Sequence, residues 1–65
     1  MVDYQKIREL RAGKGIEQKE FAHIIGASET FVSFLERGLK QPTVAMLKRI
    51  ADYLDVKMDF LVKQD

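Results

Sequence analysis

The 65-residue sequence contains no cysteine, one histidine and one proline. Without cysteine there is neither a disulfide framework nor a thiolate metal site, and His23 alone cannot build a site of several imidazoles. No apolar run approaches the 18 or so residues that a membrane span requires, and the first residues lack the apolar core of a secretory signal. We therefore expect a single cytoplasmic domain without a metal, cofactor or membrane partner.

The net charge is also small, because 11 basic and 10 acidic residues leave a net charge of +1. That value neither requires nor excludes a nucleic-acid partner, since the placement of the charges decides binding. No group of residues resembles a catalytic site either. Ser28 and Ser33 have no candidate base for a nucleophilic triad, and Asp52, Asp55 and Asp59 lack the spacing of a calcium loop. We expect no enzyme activity and no small-molecule ligand.

Glycine and proline divide the chain into stretches that have helical apolar spacing, and no stretch alternates as a half-buried strand does. The pattern predicts an all-α protein with five helices, at about residues 3–14, 18–25, 29–37, 44–54 and 58–62. Asp3, Ser28 and Thr43 are predicted N-caps. Gly15, Gly26 and Gly38 are predicted terminators, with Asp55 in the left-handed conformation after the fourth helix.

The same spacing predicts the buried face of each helix. The expected core residues are Ile7, Leu10, Phe21, Ala22, Ile25, Val32, Leu35, Val44, Leu47, Ile50, Ala51, Leu54 and either Phe60 or Leu61. Residues 26–28 leave so short a connection between the second and third helices that the two must cross steeply, as in a helix-turn-helix. Ala22 is small enough to lie at that crossing.

Most of the chain resembles a known family. The matching residues are Ile7-Arg8-Glu9-Leu10-Arg11, Gly15-Ile16, Gln18, Phe21-Ala22, Ile25-Gly26, Ser28, Val32, Leu35-Glu36-Arg37-Gly38, Pro42-Thr43 and Leu47-Ile50-Ala51-Leu54. Over residues 5–62 the chain resembles the Cro and lambda-repressor-like, or XRE-type, helix-turn-helix proteins. The resemblance implies a compact five-helix lambda-repressor-like domain with its helix-turn-helix core at residues 18–37. It also implies a transcriptional regulator that binds a palindromic operator in double-stranded DNA as a homodimer.

In this family the third helix lies in the major groove of the DNA, and the second helix crosses the phosphate backbone. The resemblance implies a DNA-binding set of Gln18, Lys19, Ser28, Glu29, Thr30, Ser33, Phe34, Arg37 and Lys40. It further implies a structural pair, Arg11 with Glu36. For the homodimer we expect an interface in the fifth helix, with Met58, Phe60 and Val62.

A helical wheel of the third helix places Val32 and Leu35 inward, Thr30 and Arg37 outward, Ser33 and Phe34 beside them, and Phe31 and Glu36 at the boundary. This outward face has few of the side chains that usually read bases. Phe34, with half-exposed Phe31 and Ile24, is expected to form an apolar patch, and such patches often mark protein contacts. The alternative hypothesis is therefore a protein-interaction module that uses the Phe31 and Phe34 face.

Overall fold

The computed structural model describes residues 1–63 of the chain. It contains four α-helices, α1 (Tyr4–Gly13), α2 (Gln18–Ile25), α3 (Glu29–Glu36) and α4 (Val44–Leu54), followed by a 3₁₀-helix (Met58–Leu61). The all-α prediction is confirmed, and in residues 1–63 no helix is long and apolar enough to cross a membrane. The prediction of five α-helices is wrong, because the last one is a single 3₁₀ turn. Val62 leaves the helical region for an extended conformation and pairs with Val2.

Side-chain caps begin three of the helices at the predicted positions. Asp3 Oδ1 accepts a hydrogen bond from the Lys6 amide at 3.1 Å. The Ser28 and Thr43 hydroxyls accept in the same way from the amides three residues later, at 3.0 and 3.1 Å. Each cap satisfies an amide that has no partner within its helix. α2 follows Glu17, which makes no side-chain cap.

All four α-helices end in the same backbone motif. After each, one residue adopts a positive φ, and the next amide donates to the carbonyl five positions earlier, which is the Schellman arrangement. The left-handed residues are Gly15, Gly26, Gly38 and Asp55, with φ of 72°, 75°, 78° and 60°. The amides are those of Ile16, Ala27, Leu39 and Val56, with N···O distances of 3.3, 2.9, 2.8 and 3.0 Å. The predicted terminators are confirmed, including the aspartate.

One apolar core joins all of these elements. Its members are Ile7, Ile16, Phe21, Ala22, Ile25, Val32, Leu35, Leu47, Ile50, Ala51, Leu54 and Leu61. Two predicted core residues are placed differently. Leu10 only packs against the core edge. Val44, at the first position of α4, is 77% exposed, and the first buried residue of that helix is Leu47. Leu61, and not Phe60, is the buried residue of the last turn.

The two ends of the described chain pair with each other. The Asp3 amide donates to the Leu61 carbonyl at 2.8 Å, and the Lys63 amide donates to the Met1 carbonyl at 2.7 Å. Val2 and Val62 form an antiparallel bridge between these two bonds. We call residues 1–3 and 61–63 the terminal ladder. It fastens the last turn to the start of α1, and nothing in the sequence pattern predicted it.

Candidate nucleic-acid interface

A tight turn sets the angle between α2 and α3. Gly26 takes the left-handed conformation, and the Ala27 amide closes the end of α2 on the Ala22 carbonyl. Ala22, the small residue expected at the crossing, is buried. Ile25 before the turn and Val32 after it both lie in the core. With its inner side buried in this way, α3 presents its opposite side to solvent.

The outward face of α3 and its C-cap residue consists of three exposed residues, Glu29, Thr30 and the C-cap Arg37, and two half-buried ones, Ser33 and Phe34. The side of α3 that was predicted to face outward is therefore the side that faces solvent. The exposure expected for Phe34 is wrong, because its ring is half-buried. The Arg37 guanidinium lies over that ring, 5.6 Å from its centroid.

The remaining aromatic residue of the predicted patch lies at the helix boundary, as the wheel predicted. Phe31 is half-buried against the core, as is Ile24 on α2. The apolar surface on which the alternative hypothesis depended is therefore smaller than predicted at Phe34.

Below this face lies a buried charged network that holds α1, α2 and α3 together. Arg11 Nε donates to Glu36 Oε2 at 2.6 Å, and Arg11 Nη2 donates to Oε1 at 3.0 Å. Arg11 Nη1 also donates to the Ile16 carbonyl. Glu36 was placed at the helix boundary by the wheel, yet only 1% of it is exposed. Such two-point pairing satisfies both oxygens of a buried carboxylate.

Gln18 belongs to the same network. Its Nε2 donates to Glu36 Oε1 at 3.1 Å, and the side chain is half-buried. The sequence predicted this side chain as a phosphate contact, but in the structure its amide group is directed toward α3. In residues 1–63 every buried side-chain nitrogen or oxygen has a hydrogen-bond partner.

Four exposed cationic residues lie near the outward face in the sequence: Lys14, Lys19, Arg37 and Lys40. Within residues 1–63 the ion pairs are formed by other residues, Lys6 with Asp3, Arg11 with Glu36 and Lys48 with Asp52. The four charges are thus available to a ligand. Ser28 has its hydroxyl oxygen engaged as the cap of α3 and keeps its proton for donation.

Two side chains of α4 contact α2, and the sequence pattern predicted neither contact. Arg49 Nη1 lies 3.4 Å from the Ile25 carbonyl, where a cation complements the C-terminal end of a helix. The Tyr53 hydroxyl donates to Glu20 Oε2 at 3.4 Å. Partial burial, and then the Glu20 carboxylate, raise the pKa of Tyr53 above its usual 10.0. Both contacts join positions more than 20 residues apart, so local patterns carry no signal for them.

The residues predicted for a dimer contact lie around the last turn. Phe60 is 48% exposed, and Lys6 Nζ stands 4.2 Å from its ring centroid. Met58 and Val62 are half-buried and pack against the core. Beside Phe60 runs an open groove of about 540 Å³, lined by Asp55, Val56, Lys57 and Asp59.

Comparison with known proteins fits this geometry. Residues 7–61 match the family model HTH_3, described as helix-turn-helix. An uncharacterized HTH-type transcriptional regulator of Bacillus subtilis, YazB, is 35% identical over 57 residues, which are 88% of this chain and 83% of YazB. The chain therefore belongs to the helix-turn-helix family of the XRE type.

Solved structures show the same fold. The P22 c2 repressor, determined in complex with a synthetic operator, superposes with a TM-score of 0.90 at 26% identity, covering 100% of this chain and 98% of that one. SinR, the master regulator for biofilm formation of Bacillus subtilis, determined in complex with DNA, gives a TM-score of 0.82 at 30% identity, with 92% and 97% covered. The lambda-repressor-like fold expected from the sequence is thus confirmed.

Proposed function

We propose that this protein is a transcriptional regulator that binds a palindromic DNA operator as a homodimer. One observation carries the proposal: the Gly26 turn holds α3 so that Glu29, Thr30, Ser33, Phe34 and Arg37 face away from the core. A helix of this width fits the major groove of B-DNA. Membership of the XRE-type family and the operator complex of the similar P22 c2 repressor support it.

In this docking α3 enters the major groove and α2 crosses the phosphate backbone. The first amides of α2 have no side-chain cap, so they can meet a phosphate at the positive end of the helix. Lys19 is exposed in the same turn. Gln18, tied to Glu36, orients this helix end against α3, and its backbone amide can still face the phosphate.

The cations limit the strength of binding by one subunit. About four phosphates would be neutralised by Lys14, Lys19, Arg37 and Lys40. The slope of log K against log salt would then be about −4 for a monomer and about −7 for a dimer. Two subunits are therefore needed for tight binding at moderate salt.

For the dimer we propose a contact through Met58, Phe60 and Val62, because Phe60 is a large apolar side chain left exposed beside an open groove. A two-fold axis there would place two α3 helices on one face of the duplex. Half-site centres should then be about 34 Å apart, one turn of B-DNA.

A titration with the promoter region upstream of its own gene tests this function. Wild-type protein should bind saturably at low salt, and Arg37→Ala should reduce the salt slope by about 1 because one phosphate contact is lost. Arg8→Ala, an exposed cation on α1, is the matched control and should leave the slope unchanged. Absence of saturable binding at low salt would instead favour a protein-interaction module, and Phe34→Ala should then abolish the protein complex.

A further inference from the structure

The residues of α3 define what kind of operator this protein can read. We infer that its half-site is recognised chiefly through thymine methyl groups and a cytosine amino group, and not through the acceptor atoms of purines. The inference rests on the proposed function and names the base chemistry of the same surface. Glu29, Thr30 and Phe34 are the residues that carry it.

The outward face of α3 lacks the side chains that usually donate to purines. In this motif the N-terminal part of the recognition helix contacts the base edges. Guanine is usually read there by Arg or Lys and adenine by Asn or Gln, through paired hydrogen bonds. Residues 28–36 contain none of these four types. Gln18, the nearest amide side chain on α2, donates its Nε2 to Glu36.

Arg37 does not fill the gap. It follows α3 as its C-cap residue, at the opposite end from the base-reading turn. Its guanidinium lies over the Phe34 ring at 5.6 Å. That stacking holds the cation beside the end of the helix, where a phosphate is the available anion. It also supports the ring of Phe34 from one side.

The same face does carry one acceptor and two apolar groups. Glu29 is exposed at the first position of α3, and a carboxylate accepts a hydrogen bond from cytosine N4. Thr30 is exposed and carries a methyl group, and Phe34 keeps part of its ring accessible. Apolar groups of this kind contact the C5-methyl of thymine, which projects into the major groove.

The spacing of the two apolar contacts suits neighbouring bases. Thr30 and Phe34 are four residues apart on one helix, so their Cβ atoms are about 5–6 Å apart. Base pairs along one strand are separated by about 3.4 Å. The pair can therefore contact thymines one or two steps apart, while Glu29 reaches a base beyond them.

The test uses wild-type protein and modified DNA. A duplex selected from a randomised library made with ordinary bases is resynthesised with uracil in place of each thymine in turn, and separately with 7-deazapurines. Loss of one contacted methyl should weaken binding by about fourfold, and 5-bromouracil, which restores bulk at C5, should recover it. Removal of purine N7 should change affinity by less than about twofold.

Variants then assign the contacts. Phe34→Ala should bind with equal affinity whether thymine or uracil occupies the position that Phe34 contacts. Thr30→Ser, which keeps the hydroxyl but loses the methyl, should show the same indifference at the position that Thr30 contacts. Glu29→Gln should change the preferred base at its position from cytosine to adenine, because glutamine pairs with adenine N6 and N7. Circular dichroism spectra matching the wild type establish that each variant is folded.

The outcomes separate this inference from the function on which it rests. A selected sequence that tolerates uracil but loses binding with 7-deazapurines would overturn methyl readout and leave the DNA-binding regulator intact. A library that yields no enriched sequence would overturn both. Enrichment of thymine-containing half-sites with sensitivity to uracil supports both.

Discussion

The α2–α3 unit and the terminal ladder are held in opposite ways. Around the α2–α3 turn, each contact that sets the backbone is made within a few residues: the Ser28 cap, the left-handed Gly26 and the Ala27–Ala22 hydrogen bond. The terminal ladder joins residues about 60 positions apart and has only two backbone hydrogen bonds and one bridge. The comparison teaches that the turn between α2 and α3 is set by local contacts, whereas closure of the domain depends on contacts between the two ends of the described chain.

The largest loss of stability is expected at Arg11, a residue of α1 that pairs with Glu36 at the end of α3. Arg11→Ala should destabilise the fold by about 3–5 kcal/mol, since it leaves the buried Glu36 carboxylate without its main partner. Urea denaturation at low temperature measures the free energy of unfolding. The double variant Arg11→Met with Glu36→Leu is the control and should regain most of the loss. If Arg11→Ala alone were nearly neutral, the pair would not hold these helices together.

The terminal ladder should be sensitive at its one buried side chain. Leu61→Ala should lower the free energy of unfolding by about 2–4 kcal/mol, because it removes core volume and loosens the last turn. Phe60→Ala, the exposed neighbour, should cost less than about 1 kcal/mol in the monomer while weakening a dimer. Equal losses for the two variants in dilute solution would contradict the difference in burial between Leu61 and Phe60.

Alanine substitutions at the glycine terminators should destabilise the fold by different amounts. A Cβ on Gly38 would lie 2.8 Å from Tyr4 Cε1, whereas one on Gly15 would meet nothing within 4 Å. Both have positive φ, so Gly15→Ala should cost about 1–2 kcal/mol. Gly38→Ala should cost about 1 kcal/mol more, for the clash. Thermal denaturation of the two variants side by side gives the difference, and a larger loss at Gly15 would refute this ranking.

The smallest effect should be a gain. Asp55 has φ of 60°, so Asp55→Gly should relieve the strain of the left-handed conformation. Glycine also raises the entropy of the unfolded chain, so the net gain in the free energy of unfolding should be about 0.5–1 kcal/mol. Asp55→Ala, which keeps the Cβ, should not stabilise it. A rise in melting temperature for the alanine variant as well would show that the backbone at residue 55 is not the cause.

Local signals predicted much of the fold. The end of α2 at Gly26, the start of α3 after Ser28 and the left-handed Asp55 all come from caps and terminators that act within six residues. The 3₁₀ form of the last turn was not predictable in this way, because Val62 is drawn into pairing with Val2.

For the candidate interface, the sequence predicted which side of α3 faces outward, and the wheel needed only Val32 and Leu35 to do so. It did not predict that Gln18 is held by Glu36 or that Arg37 covers part of the Phe34 ring. Both contacts are made by long side chains with several rotamers, so helical periodicity does not determine them. The assignment of individual residues to DNA stays a prediction.

The terminal ladder also bears on the order in which the molecule assembles. Helices closed by their own caps and Schellman bonds form in microseconds or less, and domains rich in such local contacts fold rapidly. The pairing of residues 1–3 with residues 61–63 is expected to form late, because it closes the longest loops in the described part of the chain and so carries a large loop entropy. Contacts made that late govern the rate of unfolding more than the rate of folding. Weakening the pairing of the two ends is therefore expected to speed unfolding more than it slows folding.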